Sequence, residues 1–510
     1  MKPSMKSRLA VAFSIGLYGL AVPAPTVPGQ ERAGAAQQPF TPPRAEAKGA
    51  SDAARLEPII TRLMKDGDVP GLSIALVRDG ELVWHQGFGV KNAKTKEPVN
   101  ETTVFEAASL SKPVFAYAVL KLVDEGKLDL DKPLQHYLPG NYDVGEDPRL
   151  GQITARRVLG HTTGFPNWRP RDGALKIHFT PGERFSYSGE GFVYLAKAVE
   201  HLTGQAFNDF MKRYAFEPLR MTDSSFVWRD GYEAQKIFRH NWAGEPTGQN
   251  QPPQANAAAS LHTTARDFGR FISAVLKGTG LKEATLRQML TPQVKVREGG
   301  ANTINRPEAK PSPNLSWGLG WGLQSTPDGL SFWHWGDNGD SKAYVVACDR
   351  RKLGVVVFTN SANGLSIISE VLEATVDGDQ PALAWLNYES YRSPARALLK
   401  NILAHGAEAA LGEYRRWRKG RAAGEVVSER QMNRLGYDLL SAKRVKDAVA
   451  VFKLNVEDYP QSFNTYDSLA EAYLADGDKD LAIKNYQRAA ELNPDNARRT
   501  EVLKKLREGK

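Results

Sequence analysis

The 510-residue sequence contains a single cysteine, Cys348. That excludes an intrachain disulfide, a multi-cysteine zinc site and a Cys-x-x-Cys redox pair. Tyr344, Val345, Val346 and Ala347 precede it, which is the setting of an inert buried thiol. Long apolar runs are equally scarce. The most apolar, Leu9 to Val22, is shorter than the roughly 20 residues that a spanning helix needs, so no stable membrane span is expected. Charge is only weakly one-sided: Lys plus Arg number 67 against 58 Asp plus Glu, a net +9, and Lys2, Lys6 and Arg8 in an acid-free N-terminus carry part of that excess. The remainder is too dilute to indicate nucleic acid as a partner. The densest basic run, Arg415, Arg416, Arg418 and Lys419 around Trp417, reads as a solvated helix face.

Cations, then an apolar run, then small residues with prolines make the N-terminus an export signal. Residues 1–24 are expected to be a signal peptide, with the cut between 24 and 36. Residues 25–51, rich in Pro, Ala and Gln, form a disordered lead-in by composition. The mature chain is then periplasmic or secreted from a bacterium. No cysteine stands behind the apolar run, which excludes a lipid-anchored lipoprotein; an uncleaved signal anchor is the alternative.

Beyond the lead-in the chain divides into two unlike parts. Leu56 to Met64 predicts an amphipathic helix, and the apolar runs on either side of Asp79-Gly80 predict a hairpin. Phe115, Ala118, Val119, Leu122 and Val123 recur at helical spacing, with Pro113 early enough to sit in a first turn, so a helix begins close to Ser109. Loops and helices fill about 130–270, with Gly191 to Leu202 the clearest helix. Strand patterning returns at Ser331 to Trp335, Lys342 to Cys348 and Leu353 to Asn360, and a helix comes next near Ser366 to Ala374. Strands at both ends with helices between predict an α/β domain over 52–380, whose sheet is built by its two ends around a helical insertion.

Beyond about residue 392 the strand signal disappears. A shift of 34 residues aligns Leu435 with Leu469, Ala448 with Ala482, Phe452 with Tyr486 and Pro460 with Pro494. Large, small, aromatic and closing-proline positions at that period resemble a tetratricopeptide array. An all-α solenoid over 395–510 is therefore expected, with clear repeats at 429–462 and 463–496, a degenerate helical pair at about 395–426 and a capping helix at Val502 to Leu506. Such an array packs as a scaffold or binds a protein or peptide partner on its concave face.

Ser109-Leu110-Ser111-Lys112 is the only Ser-x-x-Lys in the chain. At a helix start, i and i+3 bring hydroxyl and amine to one face, and free N–H groups can meet an oxyanion. A lysine takes the serine proton only when its amine is neutral, so Lys112 is expected to be enclosed. Taken alone, the motif is equally a helix cap. Its surroundings are more specific: Phe105 to Lys112, Leu159-Gly160-His161-Thr162-Thr163-Gly164-Phe165, Phe185-Ser186-Tyr187-Ser188-Gly189 and His334-Trp335-Gly336 occur in that order. Pro218 to Ser225, Ser260 to Asp267 and Trp317-Gly318-Leu319-Gly320-Trp321-Gly322 accompany them. From about 52 to 376 this resembles the serine β-lactamase and penicillin-binding-protein superfamily, in its class C β-lactamase-like branch with esterases and D-amino-acid peptidases.

The resemblance implies a β-lactamase-like antiparallel sheet flanked by helices and a cofactor-free, metal-free acyl-enzyme mechanism. It makes Ser109 the nucleophile, Lys112 its proton partner and Tyr187 a phenolic base or relay; it puts the backbone N–H groups of Ser109 and Asp337 in an oxyanion hole. The Asp337 side chain must then point outward. His161 reads as a turn anchor. Two departures bear on substrate. Gly189 stands where lactamases of this branch carry asparagine, and His334 stands before Trp335-Gly336 where they usually carry lysine. With His334, Gly336 and Gly189 lining the substrate side, a neutral imidazole replaces a point charge for carboxylate. The expected activity is hydrolysis of a small ester, amide or peptide. A catalytically weakened sensor that recruits a protein through the repeats, and a β-lactamase, are the alternatives.

Overall fold

The computed structural model describes residues 45–170 and 173–494, together with 502, 503 and 506. The expected signal peptide, its cut site and residues 25–44 of the lead-in lie outside the described residues.

Twelve strands are present among the described residues: β1 (Gly71–Arg78), β2 (Glu81–Gly89), β3 (Phe105–Ala108), β4 (Arg239–His240), β5 (Pro246–Gly248), β6 (Leu261–Thr263), β7 (Val294–Arg297), β8 (Pro311–Trp317), β9 (Gly322–Thr326), β10 (Gly329–Asp337), β11 (Lys342–Cys348) and β12 (Leu353–Thr359). Eight of them form one antiparallel sheet in the order β2-β1-β12-β11-β10-β9-β8-β7. The first and last strands of the domain, β1 and β12, are neighbours in it, as the sequence pattern requires. The hairpin β1–β2 turns on Asp79 and Gly80, with φ of 54° and 75°. Two positive φ values in a two-residue turn match the right-handed twist of the strands they join. β3 pairs with β6 in a separate two-stranded ribbon, and β4 pairs with β5.

Helices cover both faces of the sheet. In the first domain they are α1 (Ala45–Asp66), α2 (Ser111–Asp124), α3 (Ala155–Leu159), α4 (Gly189–Thr203), α5 (Phe207–Met211), α6 (Tyr232–Gln235), α7 (Ala265–Lys277), α8 (Glu283–Met289), α9 (Ile368–Thr375) and α10 (Pro381–Leu386). One buried apolar cluster joins α2, α4 and α7 to β11 and β12 through Val119, Leu195, Phe271, Val345 and Phe358. On the opposite face Leu63 of α1 and Leu372 of α9 pack with Ile74, Val346 and Val357. The alternation of buried faces along each strand thus serves two cores rather than one core and solvent, and the central strands are buried throughout. Helix α1 starts at Ala45, so the expected lead-in to residue 51 is too long. The alanines of 45–54 are strong helix formers, and composition alone hid this.

Among the described residues the tail contributes the helices α11 (Pro394–His405), α12 (Ala407–Trp417), α13 (Glu429–Ser441), α14 (Val445–Asp458), α15 (Phe463–Asp476) and α16 (Lys479–Leu492). They form antiparallel pairs, with α13–α14 and α15–α16 at the 34-residue period. A Cβ on Gly436 would lie 2.4 Å from the Phe452 ring, so the small residue sets the close approach of α13 and α14. Leu503 packs with Tyr486 and Ala470 at the far end. In the basic run, Arg415 and Arg418 are spent on Glu457 and Asp458 of α14. The tail is not detached: Trp242, between β4 and β5, enters the same apolar cluster as Leu398, Leu399 and Leu435, and its Nε1–H donates to Ser441 Oγ at 3.2 Å. Cys348 is buried, as expected. Among the described residues no helix is long and apolar enough to cross a membrane, and no cluster of three metal-ligating side chains occurs.

Candidate active site

The segment before α2 is a strand, a sharp turn and a helix. β3 ends at Ala108, whose φ of 47° is rare for a residue with a Cβ, and the chain reverses there so that Ser109 stands at the mouth of α2. Ser111 is wholly buried and structural: its hydroxyl donates to Ala108 O at 2.6 Å and accepts the Leu261 N–H at 3.0 Å, tying the helix start to β6. Ser109 is the hydroxyl left part-exposed. Its backbone N–H has no protein acceptor among the described residues.

Lys112 is fully buried, with Nζ 3.0 Å from Ser109 Oγ and donating to Ala258 O at 2.8 Å. Nζ lies 4.6 Å from the centre of the Tyr187 ring and 5.6 Å from that of Phe192. Burial pushes its amine well below the ordinary lysine range, and no carboxylate offsets that push. The expectation of an enclosed lysine holds. In its neutral form Nζ can accept the Ser109 O–H across the same contact.

Tyr187 is buried, and burial raises its phenol far above the ordinary value. Ser109 is near enough to favour the phenolate, yet Tyr187 Oη makes no hydrogen bond of normal geometry. Burial therefore keeps Tyr187 protonated at rest.

His334 does not reach the surface. Its ring is wholly buried, tilted against Tyr187 at 6.0 Å and stacked on Trp335 at 5.3 Å. Burial, with Lys112 nearby, pushes it down to about 3, so it is neutral. Nδ1 donates to Trp335 O at 2.8 Å, which leaves Nε2 as an acceptor without a protein partner. His161 is the complement. It anchors its turn at φ 55°, as expected, and its ring also stacks on Tyr187 at 4.2 Å, which sequence reading missed. Its Nδ1 accepts the Ser188 N–H at 3.0 Å, so the unpartnered, buried Nε2 carries the proton. Three polar atoms, one acceptor, one donor and one hydroxyl, are thus left without protein partners around Lys112.

The third motif reaches the nucleophile by close backbone approach. A Cβ on Gly336 would stand 2.5 Å from Ala107 O and 3.2 Å from Ala108 Cβ, so only glycine lets β10 lie against the Ser109 turn. Asp337 comes next, and its carboxylate faces away from the cleft, accepting from Lys342 Nζ, from Gly339 N–H at 2.9 Å and from Tyr388 Oη at 2.6 Å. The outward orientation is the expected one; the identity of Tyr388 was invisible in the motif. Gly189 opens α4, and its missing side chain is replaced in space by Asn167 and Trp168, since a Cβ there would stand 2.8 Å from Asn167 O and from the Trp168 ring. Asn167 Oδ1 accepts the Gly189 N–H at 3.0 Å, bringing a carboxamide beside the position where the motif lacks one. Glu106, buried three residues before Ser109, accepts from Asn338 Nδ2 at 3.1 Å and faces Lys236 and Arg239 at 3.8 Å each. This buried group joins the nucleophile strand to the residue after Asp337.

Comparison with known proteins bears on the family and the fold. The β-lactamase family model matches residues 56–369, and the tetratricopeptide-repeat model matches 463–496. Protein flp of Staphylococcus aureus (strain N315) is 23% identical over 327 residues, covering 60% of this chain; the match spans 62% of that relative's length. The octameric penicillin-binding protein homologue from Pyrococcus abyssi superposes with a TM-score of 0.54 at 23% identity, over 69% of this chain and 82% of its own. The β-lactamase/D-alanine carboxypeptidase from Pseudomonas syringae gives 0.55 at 20% identity, over 65% and 100%. At these identities the superpositions speak for the fold alone. By the span of its family match, the chain belongs to the β-lactamase family, with a tetratricopeptide repeat in its helical tail.

Proposed function

We propose that the protein is a serine hydrolase that passes through an acyl-enzyme on Ser109. The observation that carries this is the 3.0 Å contact between Ser109 Oγ and a lysine amine buried without a counter-ion. Neutral Lys112 takes the Ser109 proton as Oγ attacks the carbonyl carbon. The new oxyanion is met by the N–H groups of Ser109 and Asp337. As the tetrahedral species collapses, the proton on Lys112 returns to the leaving oxygen or nitrogen. Tyr187, protonated at rest, serves as relay: it gives its hydroxyl proton to the leaving group while receiving one from the lysine side. Water then attacks the acyl carbon as Lys112 takes its proton; the C–Oγ bond breaks, Lys112 passes that proton to Ser109 Oγ, and the carboxylic acid leaves with both residues restored.

Small esters and amides without a carboxylate beside the scissile bond are the proposed substrates. His334 is neutral and buried, and Lys342 is occupied by Asp337, so neither supplies the point charge that a β-lactam carboxylate needs. Asn167 is the candidate to hold an amide on the substrate. Export is part of the same proposal, supported by the N-terminal charge and hydropathy pattern. The test is a panel of a short-chain p-nitrophenyl ester, a D-alanyl amide and a chromogenic cephalosporin, each with the Ser109→Ala control. Ester or amide turnover lost in the control supports the reading; turnover that survives Ser109→Ala defeats it, and a preference for the cephalosporin defeats the substrate assignment.

A further inference from the structure

Asp337 supplies one of the two N–H groups on which the proposed mechanism depends, yet the sheet alone does not fix its position. β10 pairs with β9 only from Gly329 to Trp333, so residues 334–337 run on with one edge unpaired. On the other edge Asp337 stands opposite Lys342 of β11. Asn338, held by Glu106, ties down the next residue, and the restraint on the Asp337 side chain itself comes partly from beyond the last residue of the family match, in the linker that leads to the helical tail. Tyr388 Oη donates to Asp337 Oδ2 at 2.6 Å, and Lys342 Nζ, which holds Oδ1, sits 5.8 Å from the Tyr388 ring centre. Burial and the Asp337 carboxylate raise the Tyr388 phenol, so it stays protonated and donating. Two residues earlier, α10 ends after sending Trp385 against the same strand, 5.7 Å from Trp333 and 5.9 Å from Trp335.

A hydrogen bond to a carboxylate is among the stronger restraints available to a strand end. Here it pulls in one direction only: with both carboxylate oxygens committed outward, the charge is kept off the site where an oxyanion would form. A carboxylate turned inward would oppose the developing charge, and without its outward partners the end of β10 would lose the side-chain tie that fixes its backbone.

We propose that Tyr388 is a positioning residue of the active site, holding the Asp337 carboxylate outward so that the end of β10 presents its backbone to Ser109. The proposal rests on the serine-hydrolase reading for its catalytic consequence. It makes the linker part of the hydrolase and ties the position of the tail to the oxyanion strand.

The test uses the full chain with Tyr388→Phe, Asp337→Ala and the double variant. Readouts are steady-state hydrolysis of the ester substrate and hydrogen–deuterium exchange of the peptide spanning 334–342. Tyr388→Phe should lower kcat about tenfold with KM within about twofold, because geometry at the reacting centre changes while substrate binding does not. Exchange across 334–342 should quicken while the rest of the sheet keeps its protection. The double variant should be no slower than Asp337→Ala, since Tyr388 acts through that carboxylate. Unchanged exchange at 334–342, or losses that add in the double variant, overturns the proposal. If the wild-type chain proves inert toward every ester and amide, the hydrolase reading falls, and the exchange measurement still decides whether Tyr388 holds the strand.

Discussion

Lys112 Nζ stands 3.0 Å from Ser109 Oγ, wholly buried, and desolvation alone holds its amine below the ordinary lysine range. This arrangement favours proton acceptance and disfavours stability, and the two effects are separable by substitution.

Because the folded-state pKa of Lys112 is depressed, the unfolded chain binds more protons between that depressed value and the ordinary lysine range. Stability of the wild-type protein therefore rises with pH across that window, by up to about 1.4 kcal/mol per pH unit from this group. Lys112→Met fills the same volume without a charge. It should abolish ester turnover and raise the melting temperature at neutral pH, and the advantage should narrow as pH climbs toward 10. Calorimetry from pH 6 to 10 checks this; a variant less stable than wild type at pH 7 would contradict it.

Gly336 is required by contact rather than by conformation. Gly336→Ala places a methyl 2.5 Å from Ala107 O, a backbone atom of a strand held by its own pairing with β6, so the contact cannot be relieved by a side-chain shift there. Relief must come by parting β10 from the Ser109 turn, at a cost of about 1–3 kcal/mol. Thermal denaturation should show that loss, and ester turnover should fall by more than the change in folded fraction explains.

Trp242 is the large apolar contact between the first domain and the tail, beside the polar pairs Arg396–Asn363 and Lys400–Asp68. Its ring joins the tail's apolar cluster and its Nε1–H reaches Ser441. Trp242→Ala should cost about 3–5 kcal/mol at that junction. A scanning calorimetry trace is expected to separate into two transitions, the tail melting first. A single transition at the wild-type temperature would show that the junction is held elsewhere.

Much of this architecture was legible because it is local. The i, i+3 spacing of Ser109 and Lys112, the Asp79-Gly80 turn and the 34-residue period each express a geometry that a few neighbouring residues dictate. The pairing of β1 with β12 was implied by strand patterning at the two ends of the domain. Contact between distant segments stayed hidden. Nothing in the motif around His334 distinguishes a ring that reaches the surface from one buried against Tyr187, since both obey the same alternation. Asn167 beside Gly189, His161 under Tyr187 and Tyr388 on Asp337 all depend on how loops return over the sheet. The start of α1 was missed for a simpler reason: alanine-rich sequence serves a lead-in and a helix equally well until something packs against it.

The central claim is that Ser109, activated by Lys112, is the nucleophile. The most direct measurement is intact mass with peptide mapping after incubation with a fluorophosphonate, on the wild type, Lys112→Arg and Ser109→Ala. The account predicts one adduct on the wild type, mapped to Ser109 and not to Ser111, and strongly slowed labelling of Lys112→Arg, whose guanidinium keeps its proton. It predicts none on Ser109→Ala. An adduct on Ser111, or labelling of Lys112→Arg at the wild-type rate, would contradict it.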